Sequence, residues 1–383
     1  MVAWDNLGGV CRVVNRVAEH LEQGGHGVHL LVAGDRTWPE ATVSRMGFPA
    51  YQLRLRAPAE PNAPVRSRIA FVLTLPRTIL AVRSLVRRHR IDVVNVHFPD
   101  GNALVFARMR RVLGIRTVTS IHGSDMLPNG ERRSPTPPGF VASLLASDAI
   151  VVPSDAFGVA LSTAWPELNQ ARLYTIPNGV EPAELGYNPN AGETATDPPY
   201  VLSVAQLTTY KGVDILIRAF ASVARSAPRL RLKLISDGPA RRDLEALSAS
   251  LGVGERVDFL GVCERPQLAA HLRGCTLFVL PSLSNSESFG IAAAEAMALD
   301  RAVIASRVGG LPSLIEDGVS GLLVPPGNDV ALASAMQRLL NDPVLRTTLG
   351  STAGTRVRRE YLWERTGQGY EDIFRRVIAG PGT

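Results

Sequence analysis

Two glutamates on either side of a loop–helix junction are the residues best suited to chemistry. A strand is predicted to end at Leu280, and a helix is predicted to start near Phe289 after a polar loop. Glu287 therefore lies in the loop and Glu295 about two turns into the helix, so that they reach different parts of one extended ligand. Gly290 allows close approach to the backbone, and the free N–H groups of the helix start favour a phosphate or a sugar hydroxyl.

The surroundings of Glu295 leave two interpretations open. It lies within an otherwise apolar helical stretch, Ile291 to Leu299. A carboxylate there needs a partner, and the hydroxyls of a ribose would serve. The alternative is that Glu287 only caps the helix and Glu295 faces solvent.

Lysine is rare in this arginine-rich chain. Lys211 and Lys233 are its two lysines. Lysine carries a compact point charge and arginine a planar fork, so a lysine retained against this bias indicates a chemical requirement.

The charge is unevenly distributed. The chain has a net charge of +6, and residues 1–181 hold 20 Arg against 14 Asp and Glu, whereas residues 182–383 hold 21 of each sign. Either the arginine bias is general, or the first half meets an anionic surface.

Cys11, Cys263 and Cys275 have no metal-ligand spacing, which fits a reducing cytosol. No uninterrupted apolar run reaches the ~18 residues of a transmembrane helix.

Short apolar runs alternate with helical patterns in both halves of the chain, which predicts an α/β fold with parallel sheets covered on both faces. A polar stretch rich in Pro and Gly, 182–199, reads as a linker between domains 1–181 and 200–361. Little apolar sequence precedes Leu7, so the first strand is expected to be very short or missing, from truncation or a misassigned start. No G-x-G-x-x-G or G-x-x-x-x-G-K-[ST] motif is present.

An ordered set of motifs resembles family 4 GT-B glycosyltransferases. The stretch from Glu287 to Glu295 is similar to the family's E-x7-E motif. The other matching stretches follow the family order over nearly the whole chain: Leu7–Val10, His122–Asp125, Ile176–Val180, Lys211–Asp214, Ser236–Pro239, Val308–Pro312 and Asp317–Val324. The resemblance implies two Rossmann-like doubly wound domains facing a central cleft, with residues 362–383 packing back on the N-terminal domain.

The resemblance also implies roles on the donor side. Glu287 would contact hydroxyls of the donor sugar, Glu295 the ribose, and Lys211 the diphosphate, whose charge grows as it leaves. The other donor-side positions are Gly8 and Gly9 in the first loop, Gly238, Val262 near the nucleobase, and Ser288, Phe289, Gly290 and Ile291 around the sugar and diphosphate. No metal ion and no cofactor is expected.

One position departs from the family pattern. The family usually has an Arg a few residues before the lysine, and Gln206 occupies that place here. A neutral amide donates a hydrogen bond but supplies no charge, which puts diphosphate affinity and turnover in question.

In the first half, His122 and Asp125 follow the end of a predicted strand. The resemblance places His122 near the reaction centre, so Glu287, Lys211 and His122 are the candidate catalytic residues. His97 also ends a strand, and for it a structural role and a role on the acceptor side with Asp125 both stay open.

The resemblance implies a retaining, hexosyltransferase-type enzyme, and the few scattered cysteines favour a cytoplasmic one. Its donor would be a nucleotide-diphosphate sugar, with a UDP-sugar favoured and a GDP-sugar next, and its acceptor a hydroxyl of a lipid-linked glycan or a small molecule. The arginine-rich helix 77–90 suggests peripheral contact with an anionic membrane, together with Arg108, Arg110, Arg111, Arg132 and Arg133. A GT-B-fold nucleotide-sugar epimerase and a non-catalytic nucleotide-sugar-binding protein are the alternatives.

Overall fold

The computed structural model describes residues 9–34, 36–44, 47–54, 65–97, 106, 113–123, 140–170, 172–189 and 196–380. The chain divides into two compact units, Met1–Pro177 with Trp363–Thr383, and Asn178–Leu362. The stretch 182–199, predicted as a linker, falls inside the second of these units.

Strands and helices alternate along most of the described chain. The strands are β1 (Leu30–Ala33), β2 (Glu40–Val43), β3 (Pro49–Leu53), β4 (Val93–His97), β5 (Arg116–Ser120), β6 (Ala149–Val152), β7 (Leu173–Thr175), β8 (Tyr200–Val204), β9 (Arg231–Ile235), β10 (Val257–Gly261), β11 (Leu277–Leu280), β12 (Val303–Ser306) and β13 (Leu322–Val324). The helices are α1 (Gly9–Gln23), α2 (Val65–His89), α3 (Phe140–Ala146), α4 (Asp155–Ala164), α5 (Val213–Val223), α6 (Arg241–Ser250), α7 (Arg265–Gly274), α8 (Ile291–Ala298), α9 (Leu311–Leu314), α10 (Asp329–Asn341), α11 (Pro343–Glu360) and α12 (Trp363–Ala379).

The second unit is built on one parallel sheet of six strands in the order β10-β9-β8-β11-β12-β13. This is the doubly wound order of a Rossmann fold. Strands β11 and β12 are buried along their whole length, because helices cover both faces of the sheet. The order reverses between β8 and β11, and ligands of such sheets bind at the carboxyl ends of the strands at this reversal.

The first unit differs from the single parallel sheet that the sequence predicts. Its described strands form two sheets, β1-β3-β2 with β2 antiparallel, and β4-β5-β6-β7, which is parallel throughout. In the doubly wound order a further strand lies between the positions of β1 and β4. Here the two strands border a cavity of about 100 Å³, lined by Leu31, Val94 and Cys11 among others. Residues 1–8, where the short or missing first strand is predicted, lie outside the described residues.

The C-terminal helix α12 belongs to the first unit and packs on α1. The Glu371 carboxylate of α12 contacts one histidine in α1 and one just after it. Its Oε2 lies 3.3 Å from Nε2 of His20, and its Oε1 lies 2.9 Å from Nε2 of His26. Arg375 pairs with the same carboxylate one helical turn away. The crossing-back helix is therefore tied to the first unit by polar contacts as well as by packing.

Helix α2 is longer than the sequence predicted, because it runs through Pro76 instead of starting after it. Its segment Ile69–His89 is long and apolar enough to cross a membrane by length and composition, and 22% of an 18-residue stretch within it is buried. The segment is interrupted by Arg77, Arg83, Arg87 and Arg88, so the sequence shows no continuous apolar run there.

Candidate active site

The loops that follow β8 and β11 are held together at the reversal of the sheet. A Cβ on Gly212 would lie 2.2 Å from the carbonyl oxygen of Pro281, and its φ is +64°, so glycine is required at this approach. The backbone N–H of Leu283 donates to the carbonyl of Tyr210 at 2.8 Å. Lys211 and Glu287, one on each loop, are thereby brought together.

Lys211 and Glu287 form an ion pair. Nζ of Lys211 lies 2.8 Å from Oε2 of Glu287, and the Ser282 hydroxyl donates to the same oxygen at 2.9 Å. Burial by itself would raise the pKa of Glu287, but the charge and hydrogen bond of Lys211, with the bond from Ser282, hold that pKa below its ordinary value. Burial would likewise lower the pKa of Lys211, and Glu287 raises it above its ordinary value. Both groups are therefore charged at neutral pH.

The backbone around Glu287 is fixed by the loop after β12. The N–H of Gly310 donates to the carbonyl of Glu287 at 2.8 Å, and the N–H of Gly309 donates to the Asn285 side chain at 3.0 Å. Gly290 precedes the first residue of α8 with a φ of +90°. The helix thus begins two residues later than the sequence predicted.

Glu295 has a partner within the protein. It is only 2% exposed, which excludes the interpretation in which it faces solvent. Nη1 of Arg265, the first residue of α7, lies 2.7 Å from its Oε1. A buried carboxylate needs compensation, and an arginine supplies it in addition to any ligand hydroxyl.

The remaining residues that are predicted on the donor side lie near the carboxyl ends of β8, β9 and β10. A Cβ on Gly238 would lie 2.4 Å from the carbonyl oxygen of Leu207, so this loop packs directly on the residue after Gln206. Gln206 itself is exposed. Arg241, on the same side, is engaged by Asp237 at 3.3 Å and by Glu245 at 2.8 Å. Val262, after β10, is 65% exposed.

In the first unit, two histidines meet at the carboxyl ends of neighbouring strands. Nδ1 of His97 lies 2.9 Å from Nε2 of His122, and the rings stack with centroids 5.1 Å apart. Burial lowers the pKa of His122 to about 3 and lowers the pKa of His97 well below its ordinary value. The pair is therefore neutral at physiological pH.

Comparisons with known proteins assign the family. The sequence profile described as "Glycosyl transferases group 1" matches residues 188–356, and the profile described as "Glycosyltransferase Family 4" matches residues 7–184. An uncharacterised glycosyltransferase of Methanocaldococcus jannaschii is 30% identical over 76% of this chain and 77% of its own length. The chain belongs to the glycosyltransferases of the group 1, family 4 type.

Further relatives agree with this assignment. A D-inositol 3-phosphate glycosyltransferase of Catenulispora acidiphila is 31% identical over 75% of this glycosyltransferase and 71% of that protein. The structure of sucrose-phosphate synthase from Thermosynechococcus elongatus superposes with a TM-score of 0.76 at 26% identity, covering 97% of this chain and 94% of that one. The fold is GT-B, with two Rossmann-like domains, and the protein is a glycosyltransferase enzyme.

The structure of this glycosyltransferase brings several predicted residues together and leaves others apart. Lys211 meets Glu287, and His97 meets His122. Ser288 and Phe289 are buried between the loop and α8, Ile291 begins α8, and Gly9 is the first residue of α1. Gly8 and Asp125 lie outside the described residues.

Sequence reasoning missed the partners of the functional side chains. Arg265, Ser282, Asn95, Ser120 and Tyr370 were not singled out, although each contacts a predicted site residue or its neighbour. The sequence indicates a partner for Glu295, because a carboxylate in an apolar helix needs one, but it does not indicate that the partner is Arg265. Its position 30 residues before Glu295 gives no local pattern by which to choose it.

Proposed function

We propose that this glycosyltransferase transfers a sugar from a nucleotide-diphosphate sugar, UDP-linked rather than GDP-linked, with retention of anomeric configuration. The observation that supports the proposal is the Lys211–Glu287 ion pair at the carboxyl ends of β8 and β11. Opposite charges at the reversal of a doubly wound sheet are suited to a ligand with an anionic diphosphate and a sugar rich in hydroxyls.

The ion pair is exchanged for ligand contacts when the donor binds. The Lys211 ammonium then faces the diphosphate, and the Glu287 carboxylate accepts hydrogen bonds from the sugar hydroxyls. Because negative charge on the diphosphate grows as the anomeric bond breaks, a fixed cation stabilises the transition state more than the ground state. Glu295, held by Arg265, would accept hydrogen bonds from the ribose.

The contacts of the two glutamate carboxylates support substitution on one face of the sugar. In the donor complex Glu287 accepts hydrogen bonds from Ser282 and from the sugar hydroxyls, and Glu295 is paired with Arg265, so neither is poised to attack the anomeric carbon. The acceptor oxygen bonds to the anomeric carbon from the side on which the carbon–phosphate oxygen bond breaks. The acceptor proton passes to that leaving oxygen, which replaces a protein base.

We also propose that no metal ion takes part. Within the described ranges, no group of three His, Cys, Asp or Glu side chains is arranged to hold one. The positive charge that a divalent cation would supply to the diphosphate comes instead from Lys211.

Release of nucleoside diphosphate from UDP-, GDP-, ADP- and dTDP-sugars, with and without EDTA, tests the donor site. We expect one donor to be hydrolysed slowly without acceptor, and the activity to be lost in Lys211→Ala and Glu287→Ala. Lys233→Ala is the matched control, since Lys233 lies over the Tyr200 ring at 3.9 Å instead of in the site. Equal activity in all three variants would refute the site, and an inverted anomeric centre in the product, read by NMR, would refute the mechanism.

For the acceptor, we propose a hydroxyl of a lipid-linked glycan reached from an anionic, cytoplasmic membrane surface. Helix α2 exposes apolar side chains at helical spacing: Ile69, Val72, Leu73 and Leu80. Arg77, Arg87 and Arg88 are exposed on the same helix, and residues 65–90 contain no acidic residue. An apolar stripe flanked by arginines suits the headgroup region of anionic lipids. The other candidate basic residues, Arg108, Arg110, Arg111, Arg132 and Arg133, lie outside the described residues.

Sedimentation with phosphatidylglycerol vesicles, compared with phosphatidylcholine vesicles, tests this surface. We expect binding to the anionic vesicles that weakens with salt and is reduced in Leu73→Ser. Val159→Ser is the matched control, because Val159 is 67% exposed on α4 and Leu73 is 71% exposed on α2. Equal recovery with both lipids, or an equal loss in both variants, would favour a small soluble acceptor instead.

A further inference from the structure

A chain of polar side chains runs through the first unit to His122. The hydroxyl of Tyr370 on α12 donates to the Ser120 hydroxyl at 3.2 Å, and Ser120 donates to Oδ1 of Asn95 at 2.9 Å. Nδ2 of Asn95 lies 2.9 Å from Nε2 of His97, whose Nδ1 lies 2.9 Å from Nε2 of His122. Five residues from two strands, the turn after β5 and the C-terminal helix are thus connected end to end.

The strand geometry explains why these side chains meet. Asn95 and His97 are two residues apart on β4, so they project from the same face of the sheet. His97 is the register partner of Ser120 on β5. Ser120 is fully buried and Tyr370 is 2% exposed, so water does not replace their hydrogen bonds.

The hydrogen bonds have one direction. Because Oδ1 of Asn95 accepts from Ser120, its amide N–H group faces His97, and Nε2 of His97 must accept. A neutral imidazole that accepts at one nitrogen carries its proton on the other, so His97 donates from Nδ1. Nε2 of His122 then accepts, and the proton of His122 is on Nδ1. Burial lowers the pKa of both histidines, in agreement with neutral rings.

We propose that Tyr370, Ser120, Asn95 and His97 are positioning residues that hold His122 in its Nδ1–H tautomer. With its Nε2 lone pair already used, His122 does not act as a base and serves as a fixed, neutral hydrogen-bond donor to a sugar hydroxyl. The choice of a sugar hydroxyl rests on the proposed function. The tautomer does not, because it follows from the contacts within the first unit.

Long-range ¹H–¹⁵N correlation spectra of protein labelled at histidine test the tautomer without any substrate. We expect His97 and His122 to show the Nδ1-protonated pattern, with their signals assigned by loss in His97→Gln and His122→Asn. An Nε2-protonated His122 in the wild-type protein would overturn the proposal, whether or not a donor sugar is ever found.

Asn95→Leu tests the positioning role, because it removes the amide that fixes His97 and adds no charge. We expect His122 to populate both tautomers and kcat to fall about tenfold or more, as when the partner that orients a functional histidine is lost, with the donor KM little changed. Tyr370→Phe removes one oxygen at the far end and should shift the same signals less.

Thr119→Val is the matched control for the loss of a buried hydrogen bond. Thr119 is 1% exposed on β5 and bonds to the Ser147 hydroxyl at 2.7 Å, outside the chain of contacts. We expect it to leave the histidine signals and kcat unchanged. If Asn95→Leu retains the His122 tautomer and wild-type kcat while losing stability like Thr119→Val, the chain is structural only and the proposal is wrong.

Discussion

The two units organise polar side chains at their strand ends in different ways. In Asn178–Leu362 the site residues are charged and paired, Lys211 with Glu287 and Arg265 with Glu295. In the first unit the corresponding side chains are neutral and joined in a chain that ends at His97 and His122. Among the described residues, the predicted site residues of the second unit are therefore charged and paired, and those of the first unit belong to a neutral chain.

This difference indicates that the two units would contribute to ligand binding in different ways. Ion pairs can be exchanged for the charges of a ligand, because each partner finds a new counterpart in the diphosphate or the sugar. A neutral chain has no charge to exchange, and it fixes the direction of each N–H group instead. Substitutions in the two units test this contrast.

The largest effect is expected from Lys211→Ala. It leaves Glu287 as a largely buried carboxylate without its cation, and removing one partner of such a pair destabilises a protein by about 3 kcal/mol. Urea unfolding at neutral pH measures this loss, and Lys233→Ala serves as its comparison. A change below that of Lys233→Ala would show that the pair does not contribute to folding.

The destabilisation in Lys211→Ala should depend on pH. In the wild-type protein the pKa of Glu287 is depressed, so the pair's contribution is present above the ordinary value of 4.5 and is lost as the pH falls through the depressed pKa. Without Lys211, burial raises that pKa, and the carboxylate takes up a proton on mild acidification. The stability difference between the two proteins should therefore shrink from about pH 7.5 to about pH 5. A difference independent of pH would mean that Glu287 is not the group left unpaired.

A gain is expected from Gln206→Arg. The side chain is exposed after β8, and a guanidinium there would add a charge-assisted hydrogen bond to the diphosphate, worth about tenfold in kcat/KM for the donor. Gln206→Met is the control, since it removes the amide without adding charge. Equal kinetics in the two variants would show that this position does not face the diphosphate.

The smallest effect on stability is expected from Tyr370→Phe. One buried hydrogen bond between neutral groups contributes about 1 kcal/mol, and no charge is left unpaired. The loss, measured by urea unfolding, should be the same at both pH values used for Lys211→Ala. A pH-dependent loss would place a charge in this part of the first unit and contradict the contrast between the units.

Much of the second unit follows from sequence alone. Strands β8, β11 and β12 are short apolar runs, as the alternation of apolar runs and helical patterns in the sequence predicts for a covered parallel sheet. The position of Lys211 and Glu287 near one another also follows, because loops at the reversal of such a sheet converge. Helix α8, Ile291–Ala298, begins within two residues of the start predicted near Phe289.

The first unit was harder to predict because its decisive features are long-range. Strands Glu40–Val43 and Pro49–Leu53 are not predicted, since they lack a long apolar run. The sequence predicts a helix over 77–90, but α2 begins at Val65 and continues through Pro76. The contact of His97 with His122 depends on strand register, and that of Ser120 with Tyr370 on a helix 250 residues away.

Because the chain has two lysines, chemical modification of lysine can report on the occupancy of the proposed site. Of the two lysines, Lys211 sits in the ion pair with 20% of its side chain exposed, and Lys233 lies over the Tyr200 ring. An amine-selective acylating reagent therefore has two side chains to modify, one inside the proposed nucleotide site and one outside it. Peptide masses after brief acylation would separate the two, so that protection of Lys211 alone measures site occupancy without a radiolabel or a coupled assay.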